Sequence, residues 1–412
     1  MIKIKELKVK NFKSLYDTTI SELGDVNLFV GYNNSGKSNI FKFLQLVFQP
    51  KEEREAVVLI DEGPTGRNTN TKTFHSTTTS YHDGYIYDTP FLFKQNNRKE
   101  PITFEITLEV ANVLLSNNEA LNKEDYLGES STSITLVGEI TSVSESRSKI
   151  LVTNAKANGK TFYEIRDSIP FSFEKNTSGL SGKESESILS LFNNLVSYID
   201  TDRNFTEELF NTGDSRFNSK NFKNWLYELN INSDKYEIFN ELISFLSSFK
   251  FSAQALEELG GNIDSFPFTD DTQIGFSRFD QNVEVMLSNK GGRFPLKNFG
   301  TGIQQFFFIL AKIFNSNSKV VIIEELELNL SQVYQIEILA FLKSLLGKKF
   351  DQFMFSSHSP FFATKCADSL DTAQHVTING VGTPGTNVMG YTDPKSLVDK
   401  DGYHFWEIFK LI

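Results

Sequence analysis

The first residues of the chain alternate between apolar and polar positions in the way that a half-buried strand requires. Lysines separate most of the apolar positions, which are Ile2, Ile4, Leu7, Val9 and Phe12. This pattern predicts one or two strands with a single buried face. An apolar strand at Val26–Val30 then leads into a loop of Gly, Asn and Ser, and the almost uniformly apolar Ile40–Phe48 predicts a helix buried against a sheet.

The middle of the chain changes its pattern twice. We expect strands of an antiparallel lobe where β-branched residues concentrate, in Ile102–Val110, Ser133–Thr141 and Ile150–Asn154. Before them, the Thr-, Ser- and Asn-rich stretch from Asp61 to Asp83 predicts a mobile surface loop. After them, two apolar stripes with helical spacing, Ile188–Ile199 and Ile238–Phe249, predict a helical insertion.

The last third alternates between helical and extended patterns. The predicted helices are Gly302–Phe314 and Ser331–Leu346, and the predicted strands are Lys319–Ile323, Phe350–Ser356 and Gln374–Thr377. Alternation of helices with apolar strands is typical of a parallel sheet that is covered on both faces. The predicted fold class is therefore α/β, with a mixed sheet, an antiparallel β lobe and a helical insertion.

Composition narrows the class of protein. A chain of 412 residues is long enough for two or three folding units, at roughly 150 residues per domain. Its longest apolar runs are far shorter than the ~20 residues of a membrane span, so we expect no membrane partner and a cytoplasmic location. A single cysteine, Cys366, excludes an internal disulfide framework.

The charge balance leaves two interpretations of the N-terminal lysines open. A net charge of −11 argues against a surface that is uniformly suited to nucleic acid. A local patch could still bind phosphate backbones, and its lysines would be Lys3, Lys5, Lys8, Lys10 and Lys13. Alternatively, these lysines are only the solvated face of a strand. DNA therefore stays open as a partner.

A phosphate-binding pattern, GxxxxGK[ST], lies between the predicted strand and the predicted helix. Glycines there let successive N–H groups point at phosphate oxygens, and the helix N-terminus adds a favourable dipole. Lys37 would contact the β- and γ-phosphates of ATP, and Ser38 would offer its hydroxyl to Mg²⁺. The predicted nucleotide-binding residues of this segment are Gly31, Asn33, Asn34, Ser35, Gly36, Lys37, Ser38 and Asn39.

Two carboxylates end a second apolar strand, Lys319–Glu325. Acids at the carboxyl end of such a strand lie where an open α/β sheet binds its ligands. Glu324 would then belong to the Mg²⁺ shell, and Glu325 would accept a proton from the attacking water. Alone the pattern is weak, because acidic strand ends are commonly just solvated.

A small-residue turn precedes the helix that leads to this acidic strand. The N–H groups of Gly300, Thr301 and Gly302 could bind an anion at the start of that helix, although a plain helix cap is the alternative.

A histidine follows the next apolar strand, in FMFSSHSPFF at Phe353–Phe362. Small hydroxyl residues flank His358 and Pro360 stops the segment, so the imidazole is well placed to reach a γ-phosphate or the attacking water. A lone histidine is more often a surface or core residue, but this one follows the acidic strand by one helix.

Taken together and in this order, these segments resemble the ATPase heads of the OLD family and of the wider RecF- and SMC-like group of ABC ATPases, within the AAA family ATPases. The matching stretches are KVKNFKSL at Lys8–Leu15, GYNNSGKSN at Gly31–Asn39, NFGTGIQQ at Asn298–Gln305, VVIIEELELNLS at Val320–Ser331 and SSHSPFF at Ser356–Phe362. The middle of the chain matches only by its place.

The resemblance implies an ABC-type P-loop ATPase head in two parts. The predicted divisions are an N-terminal head part with the P-loop and β lobe (1–175), a helical insertion (176–280), a C-terminal head part (281–390) and a tail (391–412). Two heads would pair head to tail as a dimer or a higher homo-oligomer, with ATP on the P-loop of one and capped by Gly300–Gly302 of the other. Hydrolysis through Glu325 would release the pair.

Several positions depart from the family pattern. Leu326 stands where the family usually has proline, and Asn329–Ser331 replaces its histidine-containing stretch, which points to slow hydrolysis. Gly300 stands in place of the serine of transporter proteins. Gln95 is a candidate for the glutamine that senses Mg²⁺, and Arg203 either matches a family segment or is a surface arginine at a helix break.

OLD nucleases carry a C-terminal Toprim domain, whereas this chain ends soon after His358, so we expect no Toprim domain in it. On that basis the chain is similar to the ATPase subunits of anti-phage systems such as PARIS and Septu. The resemblance then implies a sensor or scaffold that controls a separate effector, a nuclease. The alternatives are a RecF-like ATPase that clamps DNA and a module that uses ATP only as an assembly ligand.

Overall fold

The computed structural model of the chain describes residues 1–31, 35–48, 54–59, 74–79, 85–87, 99–112, 130–144, 147–164, 192, 194–201, 203, 222–233, 235–248, 273–279, 282–289, 292–369, 373–379 and 387–392. The chain divides into two compact units. One comprises Met1–Glu22, Asn39–Val196 and Gly382–Asn387, and the other comprises Leu23–Ser38, Ser197–Val381 and Val388–Ile412. The four divisions drawn from the sequence stay predictions.

Strands dominate the described residues. In chain order they are β1 (Ile2–Phe12), β2 (Leu15–Ile20), β3 (Val26–Gly31), β4 (Arg54–Leu59), β5 (Phe74–Thr79), β6 (Tyr85–Tyr87), β7 (Ile102–Ala111), β8 (Ser131–Ser144), β9 (Arg147–Ala157), β10 (Lys160–Glu164), β11 (Val196–Ile199), β12 (Gln273–Phe279), β13 (Asn282–Asn289), β14 (Gly292–Pro295), β15 (Val320–Glu324), β16 (Gln352–Ser357), β17 (Ala373–Asn379) and β18 (Asn387–Thr392).

The helices follow the same order along the chain. They are α1 (Lys37–Phe48), α2 (Phe222–Ile231), α3 (Tyr236–Ser248), α4 (Thr301–Asn315), α5 (Gln332–Leu345) and α6 (Pro360–Ser369). A short 3-10 turn, Leu296–Asn298, precedes α4. Within the described residues, no helix combines the length and the apolar character needed to cross a membrane.

An antiparallel sheet forms the body of the first unit, in the order β10-β9-β8-β7-β1-β2, with β6 paired to β9. Burial alternates at every position of β7, so one face of the sheet is buried. A register shift between Ile4 and Glu6 explains why the apolar spacing in β1 is irregular. Helix α1 packs here through Phe43, whose ring centroid lies 5.1 Å from that of Phe12. The predicted antiparallel lobe is confirmed.

Two predictions from periodicity are wrong in part. Val196–Ile199, which we assigned to a helical stripe, is strand β11 at one end of the second sheet. Its short apolar run fits either element, and pairing with β15 decides it. Within Asp61–Asp83, expected to be a loop, β5 pairs antiparallel with β4. The rest of that stretch lies outside the described residues.

The second unit is built on a six-stranded sheet in the order β11-β15-β16-β3-β17-β18. The pairs β15 with β16, β16 with β3 and β3 with β17 are parallel. Every residue of β15 and β16 is buried, because both faces of the sheet are covered. This confirms the parallel sheet that uniformly apolar strands predict.

Helices of the predicted insertion belong to the same core as this sheet. The Phe222 ring in α2 lies 5.5 Å from Phe307 and 5.3 Å from Phe308 of α4, both as edge contacts. A small antiparallel sheet, β12-β13-β14, leads into the 3-10 turn before α4. The α/β class with an antiparallel lobe and a helical insertion is therefore confirmed.

The register of the parallel strands brings three strand ends to one edge. Glu324 on β15 lies opposite Ser356 on β16, and Ser356 lies opposite Phe29 on β3. One step further, Ser357 pairs with Val30. The segments that follow β3, β15 and β16 therefore leave the sheet side by side, and all three carry candidate site residues.

Candidate functional site

The loop after β3 is the first of these segments. Gly36 has φ of 104°, a conformation that favours glycine. Ser35 and Lys37 on either side of it are buried, at 1% and 5% exposure. Gly31 ends β3, whereas the predicted residues Asn33 and Asn34 lie outside the described part of the chain.

Lys37 carries the positive charge of the site at the first residue of α1. Its Nζ donates a hydrogen bond to Ser35 Oγ at 3.5 Å. Burial lowers the pKa of Lys37 to about 8, while the charges of Glu325, Glu324 and Glu327 act in the opposite direction. Lys37 and the three carboxylates at the end of β15 and just after it therefore lie within electrostatic reach of each other.

The next two residues of α1 differ in their surroundings. Ser38 is half-buried beside Lys37. Asn39 Nδ2 donates to Ser14 Oγ at 2.8 Å, a contact within the first unit. The Asn39 side chain thus links α1 to the turn between β1 and β2.

The acidic pair forms a turn at the end of β15. Glu324 is 4% exposed, and its buried Oε1 has no hydrogen-bond partner among the described residues. Glu325 follows with φ of 42°, which is uncommon for a residue other than glycine. Its N–H group donates to two oxygens of Ser356, the carbonyl O at 3.0 Å and Oγ at 3.2 Å. Residues of β16 therefore help to hold this turn.

Arg203 braces the same turn from the other side. The side chain is fully buried, so its interpretation as a surface arginine at a helix break is wrong. Its guanidinium donates to the carbonyl oxygens of Glu324 and Glu325 and, at 2.7 Å, to that of Asp200. Burial lowers the pKa of Arg203 to about 10, although the neighbouring carboxylates oppose that shift. A cation with this geometry fixes the backbone that positions Glu325.

A tyrosine adds to the environment of the acidic turn. Tyr198 on β11 places its buried hydroxyl beside Glu324. Burial raises the pKa of Tyr198, and the negative charge of Glu324 raises it further. Glu324 is therefore flanked by a neutral hydroxyl, and no sequence motif indicated that contact.

His358 follows β16 and faces the acidic turn. Its Nε2 lies 3.4 Å from Glu325 Oε1, and both side chains are about one-third exposed, at 30% and 33%. Pro360 does not stop this segment, as the sequence interpretation assumed, because it is the first residue of α6. Proline is favoured at that position, since its missing N–H would be unsatisfied there anyway.

Glu327 is a site residue that the sequence analysis missed. Its Oε1 accepts hydrogen bonds from Ser357 Oγ at 2.7 Å, from His358 N at 2.8 Å and from Ser359 N at 3.2 Å. Burial raises the pKa of Glu327, and the hydrogen bond from Ser357 acts against that shift. Only its place two residues after the acidic pair could have drawn attention to it.

The turn before α4 presents an open backbone. Gly300 is the exposed N-cap of α4 and has no side-chain cap, and among the described residues no heavy atom lies within 4 Å of where its Cβ would be. Thr301 is exposed as well. A Cβ on Gly302 would lie 2.7 Å from the Asn329 carbonyl oxygen, so this turn packs closely on the loop after the acidic pair.

The donor set fits a nucleotide-bound magnesium ion better than a metal held by protein alone. No group of three or more His, Cys, Asp or Glu side chains among the described residues is arranged to hold a metal. Mg²⁺ usually takes one or two protein oxygens and completes its shell with phosphate oxygens and water. The Ser38 hydroxyl and Glu324 Oε1, which has no hydrogen-bond partner among the described residues, are oxygens of the kind that such a shell uses.

The N-terminal lysines are engaged with acids of neighbouring strands. Lys8 Nζ lies 2.8 Å from Glu105 Oε1 on β7, and Lys10 Nζ lies 3.0 Å from Asp17 Oδ2 on β2. Lys5 Nζ is 3.9 Å from a Glu109 oxygen. The positive charge of this face is therefore largely balanced within the sheet.

Lys13 differs from the lysines of β1. Its Nζ lies 5.6 Å from the centre of the Phe12 ring. Burial lowers the pKa of Lys13, and the nearby Lys42 lowers it further.

A family model described as an AAA ATPase domain matches residues 2–363. A search of curated proteins gave no significant match. Solved structures with a similar fold include an SmcHead bound to the C-winged helix domain of ScpA, at 13% identity and a TM-score of 0.45, covering 96% of this chain and 99% of that chain.

Two further solved structures show a likeness of the same kind. The SMC head domain from Thermotoga maritima is 14% identical with a TM-score of 0.40, over 94% of this chain and 98% of that one. A Smc head domain with an extended coiled coil, bound to the C-terminal domain of ScpA derived from Pyrococcus furiosus, is 12% identical with a TM-score of 0.42, over 100% of both chains.

Proposed function

The chain belongs to the family of AAA ATPase domains, with the fold of an ABC-type P-loop ATPase head, and from this premise we propose that it binds ATP and hydrolyses it slowly. The observation that carries the proposal is the register of β15, β16 and β3, which brings Lys37, the Glu324–Glu325 turn and His358 to one sheet edge. Ligands of open α/β sheets bind at the carboxyl ends of the strands.

Each residue of the edge has a separate task in the proposed reaction. Lys37 binds the β- and γ-phosphates, and Ser38 and Glu324 hold Mg²⁺, which offsets phosphate charge when bound. Glu325 accepts a proton from the attacking water, and His358 at 3.4 Å orients that water or the γ-phosphate. Leu326, which is buried, stands where the OLD-like heads that the chain resembles usually have proline, and this departure supports slow turnover.

The proposed cellular task is that of a sensor or scaffold in a bacterial anti-phage system. The chain would form head-to-tail homo-oligomers around ATP and would hold or release a separate effector, a nuclease, according to its nucleotide state. The motif resemblance supports this task, and the exposed, uncapped backbone at Gly300 supports contact with the nucleotide of a second copy.

The alternative is a RecF-like ATPase that binds DNA. The ion pairs of Lys8 with Glu105 and of Lys10 with Asp17 weigh against β1 as its DNA-binding face. Binding through phosphates needs lysines that can exchange counterions for DNA, and these lysines already have carboxylate partners.

One set of measurements on the purified chain tests the proposal. We expect ATP to bind with Mg²⁺, to be hydrolysed, and to increase the native mass, with the Glu325→Gln chain remaining in the larger form. The product of a neighbouring gene should co-purify with the chain. Absence of ATP binding would contradict the whole proposal. ATP-dependent, salt-sensitive DNA binding without a co-purifying protein would favour the alternative.

A further inference from the structure

Glu327 makes an unusual set of contacts for a side chain without an assigned role. One of its oxygens accepts three hydrogen bonds, from Ser357 Oγ, His358 N and Ser359 N, at 2.7, 2.8 and 3.2 Å. Two of the donors are consecutive backbone N–H groups on either side of the His358 Cα. The carboxylate therefore fixes the peptide planes from which the imidazole projects.

The contacts extend into the start of α6. Ser359 N also donates to Ser357 Oγ at 2.9 Å, and Ser359 Oγ accepts from Phe362 N at 3.2 Å. This second contact is that of an N-cap serine. The segment is thus tied to the helix on one side and to Glu327 on the other, and His358 lies between the two ties.

The position of Glu327 is itself fixed by the acidic turn. Glu325 and Glu327 are separated by one residue, and Leu328 N donates to Glu325 O at 2.9 Å. The turn that carries Glu325 and the carboxylate that holds the His358 backbone are therefore one continuous structure. A movement of one changes the distance of 3.4 Å between Glu325 Oε1 and His358 Nε2.

Glu327 is poorly placed to exchange protons with a substrate. Its Oε1 is already surrounded by three donors, and its Oε2 is buried away from water with no hydrogen-bond partner among the described residues. A proton acceptor for water needs an oxygen that the water can reach. The geometry is that of a support.

We propose that Glu327 is the positioning residue that holds His358 opposite Glu325, through three hydrogen bonds to the Ser357–Ser359 segment. The inference rests on the proposed ATPase function, because Glu325 and His358 form the pair that it aligns. It adds a residue on which turnover depends without contact to the nucleotide.

Kinetics of two substitutions test this role. Glu327→Ala removes all three hydrogen bonds, and a small displacement of a catalytic group lowers rates strongly, so kcat should fall by about ten- to a hundredfold while the nucleotide dissociation constant changes by less than about threefold. Glu327→Gln keeps an oxygen that can accept the same donors and should lose much less activity than Glu327→Ala.

A matched control separates positioning from a general loss of stability. Gln352 lies at the opposite end of β16, is fully buried, and donates to Gly24 O at 2.7 Å. Gln352→Ala therefore also removes a hydrogen bond made by a buried side chain of the same strand. It should lower the melting temperature without the fall in kcat that Glu327→Ala causes.

A spectroscopic measurement tests the inference without relying on turnover. The chain has five histidines, so the ring signals of His358 can be assigned by their loss in His358→Gln. Glu325→Gln should shift these signals in the otherwise unchanged chain and shift them less in the chain that also carries Glu327→Ala. If the chain shows no ATPase activity but this coupling is present, the proposed function fails and the positioning role stands.

Equal shifts in both backgrounds, or an unchanged kcat in a folded Glu327→Ala chain, would overturn the inference. If Glu327→Ala does not fold, the Ser357→Ala variant, which lacks one of the three hydrogen bonds, takes its place in both the kinetic and the spectroscopic measurement. Its effects should have the same direction and be smaller. Unchanged His358 signals and kcat in Ser357→Ala would then count against the role.

Discussion

The antiparallel sheet of the first unit and the edge of the parallel sheet at the carboxyl ends of β3, β15 and β16 use charged residues in opposite ways. In the antiparallel sheet, lysines and carboxylates face each other in exposed pairs, such as Lys10 with Asp17. At the edge, Glu324 and Lys37 are buried, and Arg203 is bound to backbone carbonyls. In an exposed pair each charged group has a partner of opposite charge. At the edge, by contrast, one buried acceptor, Glu324 Oε1, has no hydrogen-bond partner among the described residues.

This difference separates charges that are paired within the fold from those that the proposed function assigns to a ligand. An exposed pair in water contributes little, because solvent and salt screen it. A buried charge with unfilled hydrogen-bonding capacity costs stability unless something completes it. Substitutions in the two regions should therefore differ in size and in what they affect.

The largest effect should come from Glu325→Gln. The amide cannot accept the proton of the attacking water, so kcat should fall by at least about a hundredfold, the range typical of a lost general base. ATP should still bind with similar affinity, because Lys37 and Ser38 are unchanged. Phosphate release and calorimetric titration measure the two quantities, and undiminished phosphate release would remove Glu325 from the base role.

Arg203→Lys should have the next largest effect, on stability. Lysine keeps the charge but cannot donate to Glu324 O, Glu325 O and Asp200 O together, so the free energy of unfolding should fall by about 2–4 kcal/mol. Urea denaturation measures it. If the free energy of unfolding fell no more than on substitution of an exposed lysine, Arg203 would not stabilise the acidic turn.

Lys37→Ala should weaken ATP binding by about ten- to a hundredfold, the value of one charge-assisted hydrogen bond to a phosphate. Lys42→Ala is the matched control, since Lys42 is an exposed lysine of the same helix. Equal affinities for the two variants, measured by titration calorimetry, would contradict the role of Lys37.

The lowered pKa of Lys37 predicts a change in bound protons. With a pKa of about 8, Lys37 is half-protonated at pH 8 before ATP binds, and the phosphates favour its charged form. ATP binding at pH 8 should therefore take up about half a proton more in this chain than in Lys37→Ala. Calorimetry in buffers of different ionisation enthalpy measures this number.

The same pKa fixes the sign of a stability effect without nucleotide. The pKa of Lys37 is below its ordinary value of 10.5, so between pH 8 and 10.5 the unfolded chain holds more protons than the folded one. Lys37 therefore costs stability below pH 8, and that cost decreases as the pH rises to 10.5. The urea midpoints of the chain and of Lys37→Ala, compared across this pH range, measure the cost. A cost that increased with pH would contradict the prediction.

The smallest effect should come from the antiparallel sheet. A double-mutant cycle on Lys10 and Asp17, both more than half exposed, should give a coupling of less than about 1 kcal/mol that disappears in high salt. ATP affinity and kcat should not change. A coupling as large as the effect of Arg203→Lys would remove the contrast between the two regions.

The pattern of apolar residues was sufficient to predict the strands whose side chains are all buried. Val320–Glu324 and Gln352–Ser357 are buried along their whole length. A continuous apolar run in the sequence predicts strands of this kind. Val196–Ile199 was misassigned because a short apolar run at the end of a helical stripe fits both elements. Pairing with β15, which the local pattern cannot show, decides between them.

The sequence also indicated the residues at the edge, but not what holds them. Contacts to backbone atoms leave no residue pattern, so neither the role of Arg203 on the Glu324 and Glu325 carbonyls nor that of Glu327 on His358 N could be inferred. The positive φ of Glu325 could not be inferred either, because a glutamate in the sequence does not indicate that conformation. Supports are therefore harder to predict than the groups that they support.

The close approach of Gly302 to the Asn329 carbonyl restricts what residue 302 can be. A Cβ at this position would lie 2.7 Å from that oxygen, so there is no space for even a methyl group between the first turn of α4 and the loop behind Glu325. Any larger side chain would push these two backbone segments apart. The turn at Gly300–Gly302 can lie this close to the loop after the acidic turn only while residue 302 is glycine.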